Sequence, residues 1–308
     1  MKRSMGFSVT TLGTASAIPF PSRFSTAHLL NADERFYLID CGEGTQLQLR
    51  RYKVKFQRIR HLFISHLHGD HVFGLPGLLS TLSMMGRKMD LQVYAPRDLQ
   101  KNLVQLLYQY VPNMTFRVEF HPLNTEAEEM ILDDGKIQVW SFPLSHRIPA
   151  CGFLFKEIQK PRNIRKECLG LYKIPLKAIP SIKAGCDFVM EDGTCVPNER
   201  MTILPAPSRS YAFCSDTAYS ESYLSRISGV DLLYHEATFL SSDASMALKT
   251  FHSTAADAAR LALKSGAKKL IIGHYSSRYP DISVLEAEAR SIFPETYAAK
   301  DGDCFEVI

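Results

Sequence analysis

His66-Leu67-His68-Gly69-Asp70-His71 places four side chains able to ligate a metal within six residues. The stretch follows an apolar, strand-like run, Arg60-His61-Leu62-Phe63-Ile64, so the four leave the end of a strand together. On an extended segment, residues at i and i+2 project from one side, so His66 and His68 can hold one ion. Asp70 and His71, beyond the turn that Gly69 permits, can reach a second. Imidazole and carboxylate donors without thiolate suit zinc, and after it manganese or iron. Two such ions roughly 3.5–4 Å apart activate a water and steady an in-line displacement at phosphorus. The plainer alternative is a solvated loop that happens to carry histidines. Four ligand-type residues in this order at a strand end speak against it.

Three more candidates occupy equivalent places. His146 follows the strand-like Ile137–Phe142, Asp216 follows Tyr211-Ala212-Phe213-Cys214-Ser215, and His274 follows Leu270-Ile271-Ile272-Gly273. Each lies just beyond the carboxyl end of an apolar strand, where α/β folds place their sites. Taken singly, each is the kind of residue that caps a helix or sits in a core. Together the seven suffice for two ions if a carboxylate is shared. His66, His68 and His146 then serve one metal, Asp70, His71 and His274 the other, and Asp216 bridges them.

The elements that must position these residues alternate along the chain. Phe7–Leu12, Phe36–Ile39, His61–Ile64, Leu91–Tyr94, Phe116–Phe120, Ile137–Phe142 and Gly152–Phe155 read as strands, followed by Ser210–Cys214, Leu232–Tyr234 and Lys269–Ile272. Helices are expected at Leu75–Met85, Asp98–Tyr108, Ser220–Ile227, Ala255–Ser265 and Ser283–Ile292. This mixture suggests two sheets covered outside by helices, an α/β arrangement in layers. A chain of 308 residues with 45% hydrophobic residues can bury such a core, as one large domain or two fused halves. The seam between halves is expected in or after the segment that follows Phe155.

Composition excludes some classes. No apolar run approaches ~20 residues, so no membrane span is expected. Met1-Lys2-Arg3 is basic, but the polar Ser8-Val9-Thr10-Thr11 is no signal-peptide core. Seven scattered cysteines without a Cys-x-x-Cys pair fit a reducing cytosol, with the thiols acting as small core hydrophobes. A net charge of +4 is too mild to identify a partner, but its distribution is uneven. Between Lys156 and Gly185 stand Lys156, Lys160, Arg162, Arg165, Lys166, Lys173, Lys177 and Lys183 against only Glu157 and Glu167, so the rest of the chain is slightly acidic. With Pro161, Pro175, Pro180 and a short helical pattern near Ile164–Tyr172, this segment reads as an arm able to meet a polyanion. The other reading is a solvated loop.

The ligand set resembles the metallo-β-lactamase superfamily, whose fold is a four-layer αβ/βα sandwich. Asp216 stands where the best-known zinc β-lactamases carry a cysteine, as in phosphodiesterases and glyoxalase II-like hydrolases. Further pieces resemble the ribonuclease Z family, the endonucleases that mature the 3′ end of transfer RNA. They are His235-Glu236-Ala237-Thr238, Phe251-His252-Ser253-Thr254, Gly273-His274-Tyr275-Ser276-Ser277-Arg278-Tyr279, and Gly13-Thr14 with Pro19 and Arg23, besides the basic arm. The resemblance runs over essentially the whole chain. It departs at two places: the arm lacks the Gly-Pro pair of many bacterial relatives, and Phe24 follows Arg23 where relatives often have Asn.

The resemblance implies one metallo-β-lactamase-fold domain over residues 1–308, with 156–185 as an inserted substrate-binding arm. It implies two zinc ions, transfer RNA precursors as substrate, and cleavage to a 3′-hydroxyl on the transfer RNA and a 5′-phosphate on the trailer. It also implies a cytoplasmic homodimer in which one subunit's arm holds the RNA cut by the other. In the family's roles, His252 donates a proton with help from Glu236, and Asp70 accepts one. The residues agree: His252 directly precedes a helix that Ser253 or Thr254 can cap, which would hold its ring in a fixed loop. Arg278 could fork onto a phosphate, and Lys160, Arg162 and Lys183 of the arm would meet the RNA backbone. His28, His61 and His121 match no motif and read as structural. Two other functions share features with this chain. A binuclear hydrolase of small phosphodiesters or esters, such as a phosphodiesterase, arylsulfatase or lactonase, would need the ligands but not the arm. A non-catalytic RNA-binding protein on the same fold would need the arm but not a complete ligand set.

Overall fold

Alternation between apolar and small polar residues makes β1 (Phe7–Gly13) a strand with one face wholly inside: Phe7 and Val9 are buried, Ser8 and Thr10 half-buried. The computed structural model describes residues 6–18 and 20–307; Pro19 and the basic Met1-Lys2-Arg3 start lie outside the described residues. β1 joins β2 (Ala27–Ala32), β3 (Arg35–Ile39), β4 (Ile59–Phe63), β5 (Leu91–Ala95), β6 (Val118–Pro122) and the late strand β18 (Cys304–Glu306) in a seven-stranded sheet of order β18-β1-β2-β3-β4-β5-β6. From β3 to β6 the pairing is parallel, so helices must cross over one face.

A second seven-stranded sheet takes β7 (Glu129–Asp133), β8 (Ile137–Pro143), β9 (Cys151–Glu157), β14 (Ser210–Cys214), β15 (Leu232–Glu236), β16 (Leu270–Gly273) and β17 (Thr296–Ala298), in the order β17-β16-β15-β14-β9-β8-β7. Here β14 to β17 run parallel. Aromatic side chains fill the space between the sheets. Phe63 of the first stacks on Tyr94 at 4.8 Å between centroids and stands edge-on to Phe155 of the second at 5.2 Å. Each side chain of this size buried outright contributes about 1.5–3 kcal/mol. Outside the first sheet, α1 (Thr45–Arg51), α3 (Leu75–Met84) and α4 (Asp98–Tyr110) bury Leu49, Leu78, Leu82 and Leu103. Outside the second, α8 (Ala244–Thr250), α9 (Ala255–Ser265) and α10 (Ser283–Arg290) bury an alanine-rich stripe and Leu285. The result is a four-layer αβ/βα sandwich.

Three expectations are corrected. The sheets change over between Pro122 and Glu129, before the basic segment, because β8 and β9 already belong to the second sheet. Ser220–Ile227 is a run of turns, not a helix. Ser220 Oγ accepts the Ser222 amide, and Leu224 and Arg226 bond only three residues back, so serine side chains compete with the helix there. The strand expected at Phe116 begins two residues later, at Val118.

The chain divides into two compact units, one formed by residues 1–156 and 209–308 and the other by Glu157–Ser208. The second unit contains α5 (Lys166–Leu171), α6 (Ile179–Lys183) and α7 (Asn198–Met201) with two small ribbons. These pair β10 (Asn163–Ile164) with β13 (Thr202–Ile203), and β11 (Phe188–Val189) with β12 (Cys195–Val196). Cys168, Ile174, Ile182, Val196 and Met201 form its core. Buried Asn198 donates to the carbonyls of Ile182 and Cys186 and ties the return segment to α6. That return carries Asp187, Glu191, Asp192 and Glu199 against Arg200, so the basic run belongs to a unit of mixed charge. Among the described residues no helix is long and apolar enough to cross a membrane.

Candidate metal centre

The parallel strands of both sheets end beside one another, and the loops that follow them carry the candidate ligands. His68 directly precedes the short α2 (Gly69–Val72) after β4, Asp216 lies two residues past β14, His274 one residue past β16, and His146 follows β8. Close approach of backbones brings the first loop into place. A Cβ on Gly74 would stand 2.0 Å from the Gly42 carbonyl oxygen, so only glycine fits there. His274 and Asp40 hold left-handed backbone, at φ 60° and 56°, an uncommon state for residues with side chains and one that clusters at functional sites.

Two groups result. In the first, His66 Nε2 and His146 Nε2 lie 3.1 and 3.2 Å from His68 Nδ1, and His66 Nε2 lies 3.4 Å from Asp216 Oδ2. In the second, His71 Nε2 is 3.4 Å from Asp70 Oδ2 and from Asp216 Oδ1, and His274 Nε2 is 3.3 and 3.2 Å from the same two oxygens. Asp216 is therefore common to both, one oxygen turned to each. Glu236, at the end of β15, accepts a hydrogen bond from His252 Nδ1 at 2.9 Å, and the His252 ring stacks on His274 at 5.3 Å between centroids. Thr254, not Ser253, caps α9, through a capping box with Asp257. Ser253 instead gives its amide to Glu236 and its hydroxyl to the Thr217 carbonyl, which fixes the loop that carries His252.

Partners on the far side of the rings set which nitrogen is free. His71 Nδ1 donates to Asp40 at 2.7 Å, His146 Nδ1 donates to the Phe251 carbonyl at 2.9 Å, and His66 Nδ1 lies 3.0 Å from the Ser65 hydroxyl. Each leaves Nε2 as a lone pair facing the centre. Burial lowers the proton affinity of His66 and His68 and takes His146 down to about 4, so these rings stay neutral. Burial acts the same way on His71, but the charges of Asp216, Asp70 and Asp40 outweigh it and raise His71 well above its ordinary value. The carboxylates there call for positive charge.

The donor set fits a metal on a second count. His71 Nε2 and Asp216 Oδ1 are buried without a hydrogen-bond partner. Leaving such atoms unpaired costs about 1–3 kcal/mol each, and three neutral imidazole lone pairs converging on one point repel unless a cation sits among them. The site is a metal-binding site. All seven expected ligands, with Glu236 and His252, come together here. Arg278 is exposed on the loop after His274, its amide bonded to Ser276 Oγ. Lys160, Arg162 and Lys183 lie in the second unit, where Arg162 Nε donates to Thr202 at 2.7 Å. His28, His61 and His121 stand apart from the cluster; His28 is buried between the sheets with Nδ1 3.2 Å from the Tyr211 hydroxyl. Sequence reading missed Asp40 and Ser65, although Asp40 follows a strand end directly, the same signal that marked the other ligands.

Fold and site together define a metallohydrolase of the metallo-β-lactamase fold. The solved structure of human tRNase Z, short form, matches with a TM-score of 0.71 and 26% identity over 98% of this chain and 99% of that one. The metallo-β-lactamase fold protein YhfI of Bacillus subtilis matches with a TM-score of 0.70 at 18% identity, which speaks to the fold alone. The family model of the anti-Pycsar protein Apyc1 matches residues 7–154. Ribonuclease Z of Bacteroides thetaiotaomicron is 45% identical over 301 residues, 98% of this chain and 95% of its own, and that of Porphyromonas gingivalis is 45% identical over 295. The chain belongs to the ribonuclease Z family.

Proposed function

We propose that this ribonuclease Z family nuclease is a zinc-dependent endoribonuclease that removes the 3′ trailer from transfer RNA precursors. The observation that carries the reading is the shared carboxylate Asp216, with one oxygen turned to each of two ligand groups, beside the His252–Glu236 pair. His66, His68 and His146 would hold one zinc ion, Asp70, His71 and His274 the other, and Asp216 both. When bound, the ions supply an acidified water at neutral pH and positive charge for the oxygens around phosphorus.

The chain's own groups complete the reaction. Asp70 orients the attacking water and takes its proton. A bond forms from that water oxygen to phosphorus, and the bond from phosphorus to the 3′ oxygen of the last transfer RNA nucleotide breaks. His252 delivers a proton to that departing oxygen, leaving a 3′-hydroxyl on the transfer RNA and a 5′-phosphate on the trailer. The Glu236 charge and hydrogen bond outweigh burial and raise His252 to about 9, so it is protonated and ready at neutral pH. Arg278 is exposed close to the site and suited to a neighbouring phosphate. The basic run of residues 156–185, with Lys160, Arg162 and Lys183, would grip the folded RNA, and a homodimer would let one subunit hold what the other cuts. The test is incubation of the purified protein with a 3′-extended precursor and mapping of both new ends. A cut after the unpaired discriminator nucleotide is expected; an intact precursor beside hydrolysis of small phosphodiesters would move the reading to a small-substrate hydrolase.

A further inference from the structure

Thr238 lies two residues past Glu236, on the segment that leaves β15, and is buried. Its Oγ1 is 2.6 Å from Glu236 Oε2, 2.9 Å from His274 Nδ1 and 3.3 Å from His252 Nδ1, and its amide donates to the same Glu236 oxygen at 3.0 Å. A hydroxyl has one proton to give, and an ionised carboxylate can only accept. The shortest contact therefore takes the Thr238 proton to Glu236. What remains on Oγ1 is lone-pair density, so His274 Nδ1 must arrive as N–H and donate. That leaves His274 Nε2 unprotonated, and Nε2 is the atom that faces Asp70 and Asp216 at 3.3 and 3.2 Å. With the proton on Nε2 instead, a lone pair on Nδ1 would oppose an oxygen whose proton is already committed.

We infer that Thr238 is a positioning residue: its hydroxyl fixes the His274 tautomer that can ligate the second metal, and it hangs that ligand on the carboxylate that also serves His252. The inference rests on the two-metal reading above. It predicts an asymmetric effect. Removing the hydroxyl weakens the group of Asp70, His71, Asp216 and His274, while the group of His66, His68 and His146 keeps its own outer partners, Ser65 and Phe251.

Zinc titration against a competing chelator resolves the two binding steps in the wild type, Thr238→Val and Thr238→Ser. Nitrogen-15 NMR of labelled histidine reads the His274 tautomer in the same samples. The Val variant should lose about 10–100-fold in one binding step, the scale of an outer-shell contact, with the other step within about threefold of wild type. His274 should leave the Nδ1–H form in that variant and keep it in Thr238→Ser, which should bind like wild type. Equal affinities in Val and wild type, equal weakening of both steps, or a Ser variant as weak as Val would each overturn the inference. If the Val variant does not fold, Thr238→Ala is read by the same criteria. A wild type that binds fewer than two ions would refute the two-metal reading, while the tautomer signal would still decide the role of Thr238.

Discussion

Glu236→Gln is the perturbation whose size the site itself sets. His252 sits at about 9 against an ordinary 6.5, a ratio of roughly 300 in proton affinity, or about 3 kcal/mol. Burial works against that rise, so what raises His252 is the Glu236 charge and its 2.9 Å hydrogen bond, followed by the charges of Asp216 and Asp70. Bound cations would offset the last two and leave Glu236 as the source. With the charge removed, His252 should fall to or below 6.5, and at pH 7.5 no more than about a tenth of the molecules should carry the proton. Single-turnover cleavage of a saturating precursor should therefore drop by at least about tenfold at pH 7.5. The alkaline fall-off should move from near 9 toward neutrality. The Gln amide must also face one of the donors that now reach Glu236, from Thr217, Ser253 and Thr238, so stability should fall by about 1–3 kcal/mol in denaturant unfolding. A variant whose rate follows the wild-type pH profile would refute the assignment of Glu236 as the group that charges His252.

Other perturbations reach other parts of the account. Asp216→Ala should release both ions and abolish cleavage, read by metal analysis after gel filtration; two retained ions would show that Asp216 is not shared. Lys156 and Ser210 are cross-strand partners, so a short Gly-Asn turn can replace Glu157–Ser208 without breaking the sheet. That variant should lose precursor binding by at least about 10²-fold and lose the salt dependence of binding, yet still hydrolyse a chromogenic phosphodiester; normal binding would make the basic run a solvated loop. His28 is held at about 3 by burial first and by His71 second. The unfolded chain takes up that proton below 6.5 while the fold does not, so the stability tied to a neutral His28 is present above 6.5 and lost as pH falls toward 3. Metal-free wild type should lose about 2 kcal/mol more than His28→Phe between pH 7 and pH 5, by denaturant unfolding; equal losses would show that His28 is not the group being charged.

Much of the site was legible because the fold uses one rule several times. A ligand just past an apolar strand is visible in one dimension, and His146, Asp216 and His274 obey that rule as plainly as His66–His71. Asp40 obeys it too, but with Cys41 and Glu43 it makes no repeated-histidine pattern like His66–His71, so nothing drew attention to its bond with His71. β2 was missed for a different reason. Ala27–Ala32 is buried on both faces and shows no alternation, which is what a central strand of a covered sheet requires. The helix expected at Ser220–Ile227 had the right apolar spacing, but its serines form local bonds that spacing does not register. The change of sheet at Pro122–Glu129 was hidden because β7 is a largely exposed strand with charged ends, while the basic run downstream offered a more conspicuous boundary.

The most direct measurement of the central claim uses two precursors that differ in one atom, the 3′ oxygen at the scissile phosphodiester or a sulfur in its place. Sulfur leaves without a proton, so the general acid has nothing to do on that substrate. On the oxygen precursor His252→Ala should slow single-turnover cleavage by about 10²–10⁴-fold while both ions stay bound. On the sulfur precursor the same variant should cleave within a few-fold of wild type, at the same nucleotide. An equal loss on both substrates would contradict the account, since His252 would then be holding the site together and not protonating the leaving 3′ oxygen.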